Sequence, residues 1–168
     1  ALPISGLALS LSADLSKRSS RFELSLKNPA INDSDYNGEV EVHSTKNEIR
    51  RSRYDSDVKT QGFSIGAGKE ILRDTYLGAK YSLDFVKENY DYEQAVLDDI
   101  KKRGKEPFKN QDYVNSSITP YINFDNTDDF YFPREGFRAN LSAEYAGVGG
   151  DSKYIKPAAS IRYFYSLE

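Results

Sequence analysis

The chain has 168 residues, with 23 Lys and Arg against 26 Asp and Glu and a formal net charge of -3. This length suits one domain, and the small negative charge gives no electrostatic reason to expect nucleic acid as a partner. Cys is absent and His43 is the single histidine, which excludes disulfide scaffolds, cysteine-ligated zinc and thiol nucleophiles. No apolar run is long enough to cross a membrane as a helix. Met is also absent, so the chain is expected to be a processed or excised piece.

The composition combines few apolar residues with many aromatic ones. Only 38% of the residues are hydrophobic, yet 13% are aromatic. A disordered chain is poor in aromatic residues. In a transmembrane β-barrel, by contrast, every second residue faces lipid and the others face water. A transmembrane β-barrel is therefore consistent with both the low hydrophobic fraction and the high aromatic fraction.

Alternation of apolar and polar side chains predicts about eight β-strands. The clearest segment begins at Leu77, where Leu77, Ala79 and Tyr81 alternate with Gly78 and Lys80. In chain order the alternating segments cover residues 7–15, 21–27, 39–43, 62–67, 77–85, 118–124, 137–145 and 155–165. Several have the length with which a tilted strand crosses a bilayer.

Charged residues occupy the polar side of these segments at mid-strand. The candidates for lining a water-filled lumen are Arg21, Glu23, Lys80, Asp84, Arg138, Glu144 and Arg162. In a transmembrane barrel they would face inward. In a soluble β-barrel or sandwich they would face solvent while the apolar side formed the core. The alternation alone leaves both interpretations open.

Connection lengths favour the membrane interpretation. The two long connections, residues 44–61 and 87–113, fall on the same side of an up-and-down sheet, as the external loops of outer-membrane barrels do. The connections on the other side are shorter, at residues 28–36, 69–75 and 125–135. Residues 92–105 carry apolar positions at helical spacing and predict a short helix. Pro120 and Pro157 fall inside predicted strands, which indicates bulges or shifted boundaries.

Two acidic segments are weighed as metal sites and interpreted as turns. Asp33, Asp35, Asn37 and Gly38 match the first half of a calcium loop, but Ser44 stands where the loop needs a bidentate glutamate. Asp125, Asp128 and Asp129 precede Pro133 and Gly136 in a polar connection that is typical of a turn. The sequence predicts no metal, no cofactor and no enzymatic activity.

Residues 125–136, Asp-Asn-Thr-Asp-Asp-Phe-Tyr-Phe-Pro-Arg-Glu-Gly, resemble a signature of the bacterial surface-antigen family. This family comprises outer-membrane β-barrel assembly factors (BamA-like proteins) and their relatives. Asn28-Pro29 resembles the family's turn after an early strand. One position departs from the pattern, because Thr127 stands where an arginine is common. A salt bridge across the turn is therefore not expected from that position.

The resemblance implies an all-β fold: an antiparallel, up-and-down transmembrane β-barrel segment of about eight strands with a short helix in one long loop. It corresponds to strands three to ten of a larger, sixteen-stranded barrel. Residues 1–168 would form a single partial barrel domain with no POTRA domains, and residues 1–6 fit no element of the family. The predicted structural turn consists of Asp125, Asp128, Phe132, Pro133 and Gly136.

The function implied by the resemblance is the folding and insertion of β-barrel proteins in the outer membrane of a Gram-negative bacterium. The expected partners are outer-membrane lipids, unfolded outer-membrane proteins and accessory lipoproteins of an assembly complex. Two alternatives remain: a translocation pore or porin-like channel of the two-partner-secretion type, and a soluble barrel that binds a small ligand. A piece of a larger barrel would also expose two unpaired edge strands, which invite self-association.

Overall fold

The fold is a single antiparallel β-sheet with one helix. A computed structural model describes residues 2–4, 6–31, 34–52, 54–129 and 132–166. The strands are β1 Leu2–Ile4, β2 Leu7–Leu15, β3 Ser19–Asn28, β4 Tyr36–Arg50, β5 Asp55–Leu72, β6 Thr75–Asp91, β7 Gln111–Asp125, β8 Gly136–Ala146 and β9 Tyr154–Phe164. The helix α1, Gln94–Lys102, lies between β6 and β7.

The strand order in the sheet is the order along the chain, from β1 to β9. Each strand pairs antiparallel with the next, and β1 and β9 are the two edges of an open sheet. The predicted all-β, up-and-down arrangement of about eight strands is confirmed by the eight long strands β2–β9. The N-terminal segment that fits no family element adds the three-residue strand β1, which pairs with β2.

The register places the alternating residues in continuous rows. Leu24 pairs with Val42, Val42 with Phe63, and Phe63 with Leu83. Because successive side chains of a strand point to opposite sides, these rows form one apolar face. The residues between them form the polar face. The in-register period of two is therefore what separates the two faces across the whole sheet.

The apolar face is exposed, and no second layer of the described chain covers it. Leu11 is 76% exposed, Ile155 is 70% exposed, and Phe63 in the middle of the sheet is still 40% exposed. Among the described residues, Ala146 is the one buried hydrophobic residue. The buried polar residues are all serines: Ser25, Ser56, Ser64, Ser116 and Ser117. A soluble barrel or sandwich needs a buried apolar core, so that alternative does not fit the described structure.

The predicted long connection at residues 44–61 is wrong. Strand β4 continues to Arg50 and β5 begins at Asp55, so most of this segment is a paired hairpin. The segment was missed because its outward positions are charged or polar, as at Lys46 and Glu48, which removes the hydrophobic alternation. At about 3.3 Å per residue, the 18 residues of β5 span about 60 Å, about twice the hydrocarbon core of a bilayer.

The connection between β6 and β7 contains the predicted helix. Its last turn carries Lys101 and Lys102, where cations favour the helix dipole, and Gly104 follows with a φ of 66°. An aromatic cluster holds this connection against the hairpin tip: Tyr54 lies 5.9 Å from Tyr90, 5.3 Å from Tyr92 and 5.7 Å from Phe108 between ring centroids. Among the described residues, no helix is long and apolar enough to cross a membrane.

The two prolines inside strands require neither shifted boundaries nor a change of register. Pro120 pairs with Ala79 of β6 and Pro157 pairs with Ala143 of β8. The pairing of β7 with β8 passes from Ile118–Tyr145 directly to Tyr121–Ser142. The ladder is therefore interrupted next to Pro120, which lacks a backbone N–H group to donate, and it resumes in the same register.

Candidate functional site

The candidate site is the polar face together with the turn between β7 and β8. All seven predicted lumen residues lie on this face. Each of them alternates along its strand with the residues of the apolar face, and the register keeps the two sets separate from strand to strand. The seven residues are Arg21 and Glu23 on β3, Lys80 and Asp84 on β6, Arg138 and Glu144 on β8, and Arg162 on β9. The polar face is concave and forms an open cavity of about 600 Å³, whose lining runs from Ala8 on β2 to Ser142 on β8.

Ion pairs connect the charged groups of the polar face within and between strands. Arg21 lies 2.5 Å from Glu23 on the same strand. The ammonium group of Lys80 lies 3.3 Å from a carboxylate oxygen of Glu41 and 3.9 Å from one of Glu39, both on β4. Opposite charges therefore alternate across this face, as expected where side chains of several strands converge in one concavity.

His43 lies at the centre of a second cluster. Its Nε2 atom is 3.0 Å from Oδ1 of Asp84 and its Nδ1 atom is 3.4 Å from Oε1 of Glu41. All three side chains are less than one-fifth exposed. Nothing in the sequence pattern brings these three residues together, since they are separated by up to 43 positions and the register alone aligns them.

Glycine makes this cluster possible. Gly62 of β5 stands between His43 and Asp84 in the register. A Cβ atom at Gly62 would collide with the Asp84 carboxylate and would lie 2.6 Å from the carbonyl oxygen of Leu83. The contact between His43 and Asp84 therefore crosses β5 at a strand position that has no side chain. The closely spaced glycines of β5, at positions 62, 66 and 68, are the sequence signal that could have indicated this close approach.

Glycines also allow a large side chain to lie across neighbouring strands nearer the short turns. Tyr121 of β7 lies over Gly78 of β6 and reaches Gly68 of β5, where a Cβ atom would be 2.9 Å from the tyrosine hydroxyl oxygen. The same Cβ atom at Gly68 would also lie 2.9 Å from the side-chain oxygen Oδ1 of Asn37 on β4. A tyrosine ring thus covers two strands of the polar face, and this arrangement was not predicted from the sequence.

The turn between β7 and β8 is held by carboxylate oxygens. Asp125 accepts a hydrogen bond from the Thr127 hydroxyl at 2.6 Å and from Arg138 Nε at 2.7 Å. Arg138 also donates to the Thr127 hydroxyl at 3.1 Å. A direct salt bridge therefore does close this connection: its arginine comes from β8, and the Thr127 hydroxyl forms hydrogen bonds with both charged groups.

Further along the turn, Asp128 accepts the backbone N–H groups of Arg134 at 2.8 Å and Glu135 at 3.1 Å. The N–H groups of Glu135 and Arg134 hold the pKa of Asp128 below its ordinary value, since they stabilise the charged carboxylate. Gly136 has a φ of 120°, and a Cβ atom there would lie 2.7 Å from the Cα atom of Thr127. Only glycine fits this position without strain.

The remaining predicted turn residues differ in their surroundings. Phe132 is 82% exposed, and its N–H group donates to Asp129 at 2.8 Å. Pro133 lies in the turn, outside both strands. Asp33 of the calcium-loop match lies outside the described residues, whereas Asn37 and Gly38 belong to β4. No group of three or more His, Asp or Glu side chains in the described ranges could hold a metal ion.

An open antiparallel sheet with one exposed apolar face and one charged, concave face defines a segment of a transmembrane β-barrel. The sequence matches the family model of the Omp85 superfamily domain over residues 5–168. The chain therefore belongs to that superfamily. This finding confirms the resemblance noted in the sequence.

A solved structure supports the same fold. The crystal structure of BamA from Haemophilus ducreyi lacking POTRA domains 1-3 superposes with a TM-score of 0.71 and 17% sequence identity. The match covers 93% of this chain and 31% of that chain. At this identity the likeness shows the fold, and the present chain spans less than one-third of the BamA chain. No curated protein matches the sequence.

Proposed function

We propose that this chain is the central part of the membrane barrel of an outer-membrane protein assembly factor. The observation that carries the proposal is the exposed apolar face of a single-layer sheet in a chain of the Omp85 superfamily. Lipid acyl chains cover such a face, whereas a soluble protein would bury it. In this proposal the protein resides in the outer membrane of a Gram-negative bacterium, which the family membership supports.

In this proposal residues 1–168 form one part of a barrel, and further strands continue the sheet at both edges. The strands correspond to the third to tenth of sixteen. An unpaired or weakly paired edge elsewhere in such a barrel can template an incoming strand through backbone hydrogen bonds. The partners are outer-membrane lipids, unfolded outer-membrane proteins and accessory lipoproteins. No nucleotide or catalytic residue is required.

The turn residues carry the structural part of the proposal. Asp125, Asp128, Phe132, Pro133 and Gly136 shape the connection that fixes β8 against β7. The support is the set of hydrogen bonds that Asp125 and Asp128 accept within the turn. A loose turn here would free the two strands whose ladder is already interrupted beside Pro120.

The test uses the full-length parent protein with Pro133→Ala and Gly136→Ala together, in a strain depleted of the endogenous assembly factor. The matched control exchanges the same residue types in the long connection, Gly104→Ala with Pro107→Ala. Gly104 also has a positive φ, 66°, so both variants carry the backbone strain of an alanine there, but nothing lies within 4 Å of a Cβ atom at Gly104. We expect the turn variant to lose barrel assembly and the control to retain it. Equal assembly by both variants would show that the turn is dispensable.

A second candidate is a translocation pore, favoured by the charged concave face and its cavity of about 600 Å³. In this function Arg138 and its neighbours would line the path of the substrate. The full-length protein in vesicles distinguishes the two functions. Accelerated folding of an unfolded barrel substrate without ion currents supports the assembly factor. Currents whose ion selectivity changes with Arg138→Glu, without accelerated folding, support the pore.

A further inference from the structure

Three lysines stand side by side on the outward surface above the apolar face. Lys46 of β4 pairs with Lys59 of β5, and Lys59 pairs with Lys87 of β6. We refer to these three residues as the lysine row. Directly opposed residues of antiparallel strands have Cβ atoms about 5 Å apart, and like charges in that position are destabilising. Three opposed lysines therefore need a compensating source of negative charge.

The lysine row lies immediately beyond the apolar band. The next row toward the apolar band on the same face contains Ser44 of β4, Gln61 of β5 and Phe85 of β6. Each of these lies two positions along its strand from the lysine row. One further row inward contains Val42, Phe63 and Leu83. The distance from the lysine row to Phe85 is about 7 Å along the strand. If the apolar band marks the hydrocarbon, the three ammonium groups lie at the level of lipid headgroups.

The two outer lysines have exposed carboxylate neighbours. Lys46 lies 2.9 Å from Glu48 and 3.7 Å from Asp57, and Lys87 lies 3.7 Å from Asp112. Ion pairs this exposed contribute little to stability. The exposed central residue, Lys59, forms no ion pair with any part of the chain that the structure describes.

A depression in the outward surface joins the lysine row to the apolar band. It has a volume of about 360 Å³ and lies between Lys59 and Lys87 on one side and Phe85 and Val114 on the other. Gln61 and the carboxylate of Asp112, which is the ion-pair partner of Lys87, also line it. The lining therefore passes over one or two residues from charged groups to apolar side chains, and Lys59 is the cation there without an ion-pair partner among the described residues. This polarity matches a lipid, whose anionic headgroup adjoins its acyl chains.

We propose that the lysine row and this depression bind the phosphate-bearing headgroup of a membrane lipid, with the lipid chains along Phe85 and Val114. The site rests on the membrane placement of the apolar face described under the proposed function. It adds a specific lipid contact near the end of the sheet that carries the β4–β5 hairpin tip and α1. The phosphate supplies the negative charge that Lys59 lacks.

The experiment compares the full-length parent protein with the variant K46Q/K59Q/K87Q in neutral-detergent micelles. The affinity is measured for three ligands. Phosphatidylglycerol has both acyl chains and a phosphate, diacylglycerol has the acyl chains without the phosphate, and inorganic phosphate has no acyl chains. We expect the variant to lose affinity for phosphatidylglycerol on the order of a hundredfold, since each lysine near a lipid surface contributes about fivefold. Diacylglycerol should bind weakly and equally to both proteins.

The matched control is K101Q/K102Q/K105Q. It removes the same number of positive charges from exposed positions in and after α1, in the connection at the same end of the strands as the lysine row. We expect its affinity to remain that of the parent. Equal losses in both triple variants, or inorganic phosphate binding as tightly as phosphatidylglycerol, would overturn the lipid site.

If the triple variant fails to fold, the single variant Lys59→Gln breaks no ion pair among the described residues and should lose about fivefold. An unchanged affinity in this variant would also overturn the site. Insertion of the parent protein into the membrane fraction is measured separately. Failure to insert contradicts the proposed function, whereas insertion with unchanged lipid affinity in the variants contradicts this inference alone.

Discussion

Replacement of Ile65 by arginine tests whether the apolar face contacts lipid. Ile65 lies on β5 between Val40 of β4 and Tyr81 of β6 and is 52% exposed. The polar residues that bound the apolar band on this strand are Gln61 and Lys69, four positions away on either side. Ile65 is therefore equidistant from both edges of the band.

The expected cost follows from this position. Four residues correspond to about 13 Å along the strand, or about 10 Å of depth at the usual strand tilt. This places Ile65 close to the midplane of an apolar band about 25 Å tall. An arginine at the midplane of a barrel costs about 2–4 kcal/mol, and one near the interface costs about 0–1 kcal/mol. We therefore expect Ile65→Arg to destabilise the protein and Gln61→Arg to have little effect.

The measurement is the free energy of unfolding of the full-length parent protein and both variants, by urea titration in lipid vesicles. Gln61→Arg is the matched control, because it introduces the same side chain on the same strand and the same face. The reasoning is refuted if the two variants cost the same free energy, because the cost would then be independent of depth.

Three further predictions concern the polar face and the turn. Gly62→Ala should lower the free energy of unfolding by about 1–3 kcal/mol through overpacking, whereas Gly66→Ala, whose Cβ atom would meet no atom closer than 3.7 Å, should leave it nearly unchanged. Arg138→Gln should cost about 2 kcal/mol, because it removes a charge-assisted hydrogen bond to Asp125; the same urea titration measures it, and wild-type stability would contradict the turn-closing role. The pKa of Asp128 is lowered in the folded protein, so its stabilising contribution should be complete above the ordinary value of 3.8 and disappear as the pH falls through the depressed pKa. The difference in unfolding free energy between the parent and Asp128→Ala should therefore be constant at neutral pH and shrink in acid; a difference that grows in acid would contradict this sign.

Apolar positions at helical spacing determined the helix after β6. The period-two pattern by itself determined the strands that lie within the apolar band and their antiparallel order. It succeeded there because a strand with lipid on one side and polar groups on the other must alternate. It failed beyond the band, at the tip of the β4–β5 hairpin, where both faces are polar. There Lys46 and Glu48 read as a loop, although backbone pairing continues to Arg50.

Only the tertiary structure decided which side chains meet. The contact between His43 and Asp84 across Gly62, the origin of the turn-closing guanidinium in β8 and the alignment of three lysines all depend on register. A shift of one residue would move each of these side chains to the opposite face. Alternation specifies which face a residue occupies, but its partner across the sheet is specified by the register in which neighbouring strands pair, and the alternating pattern does not contain that register.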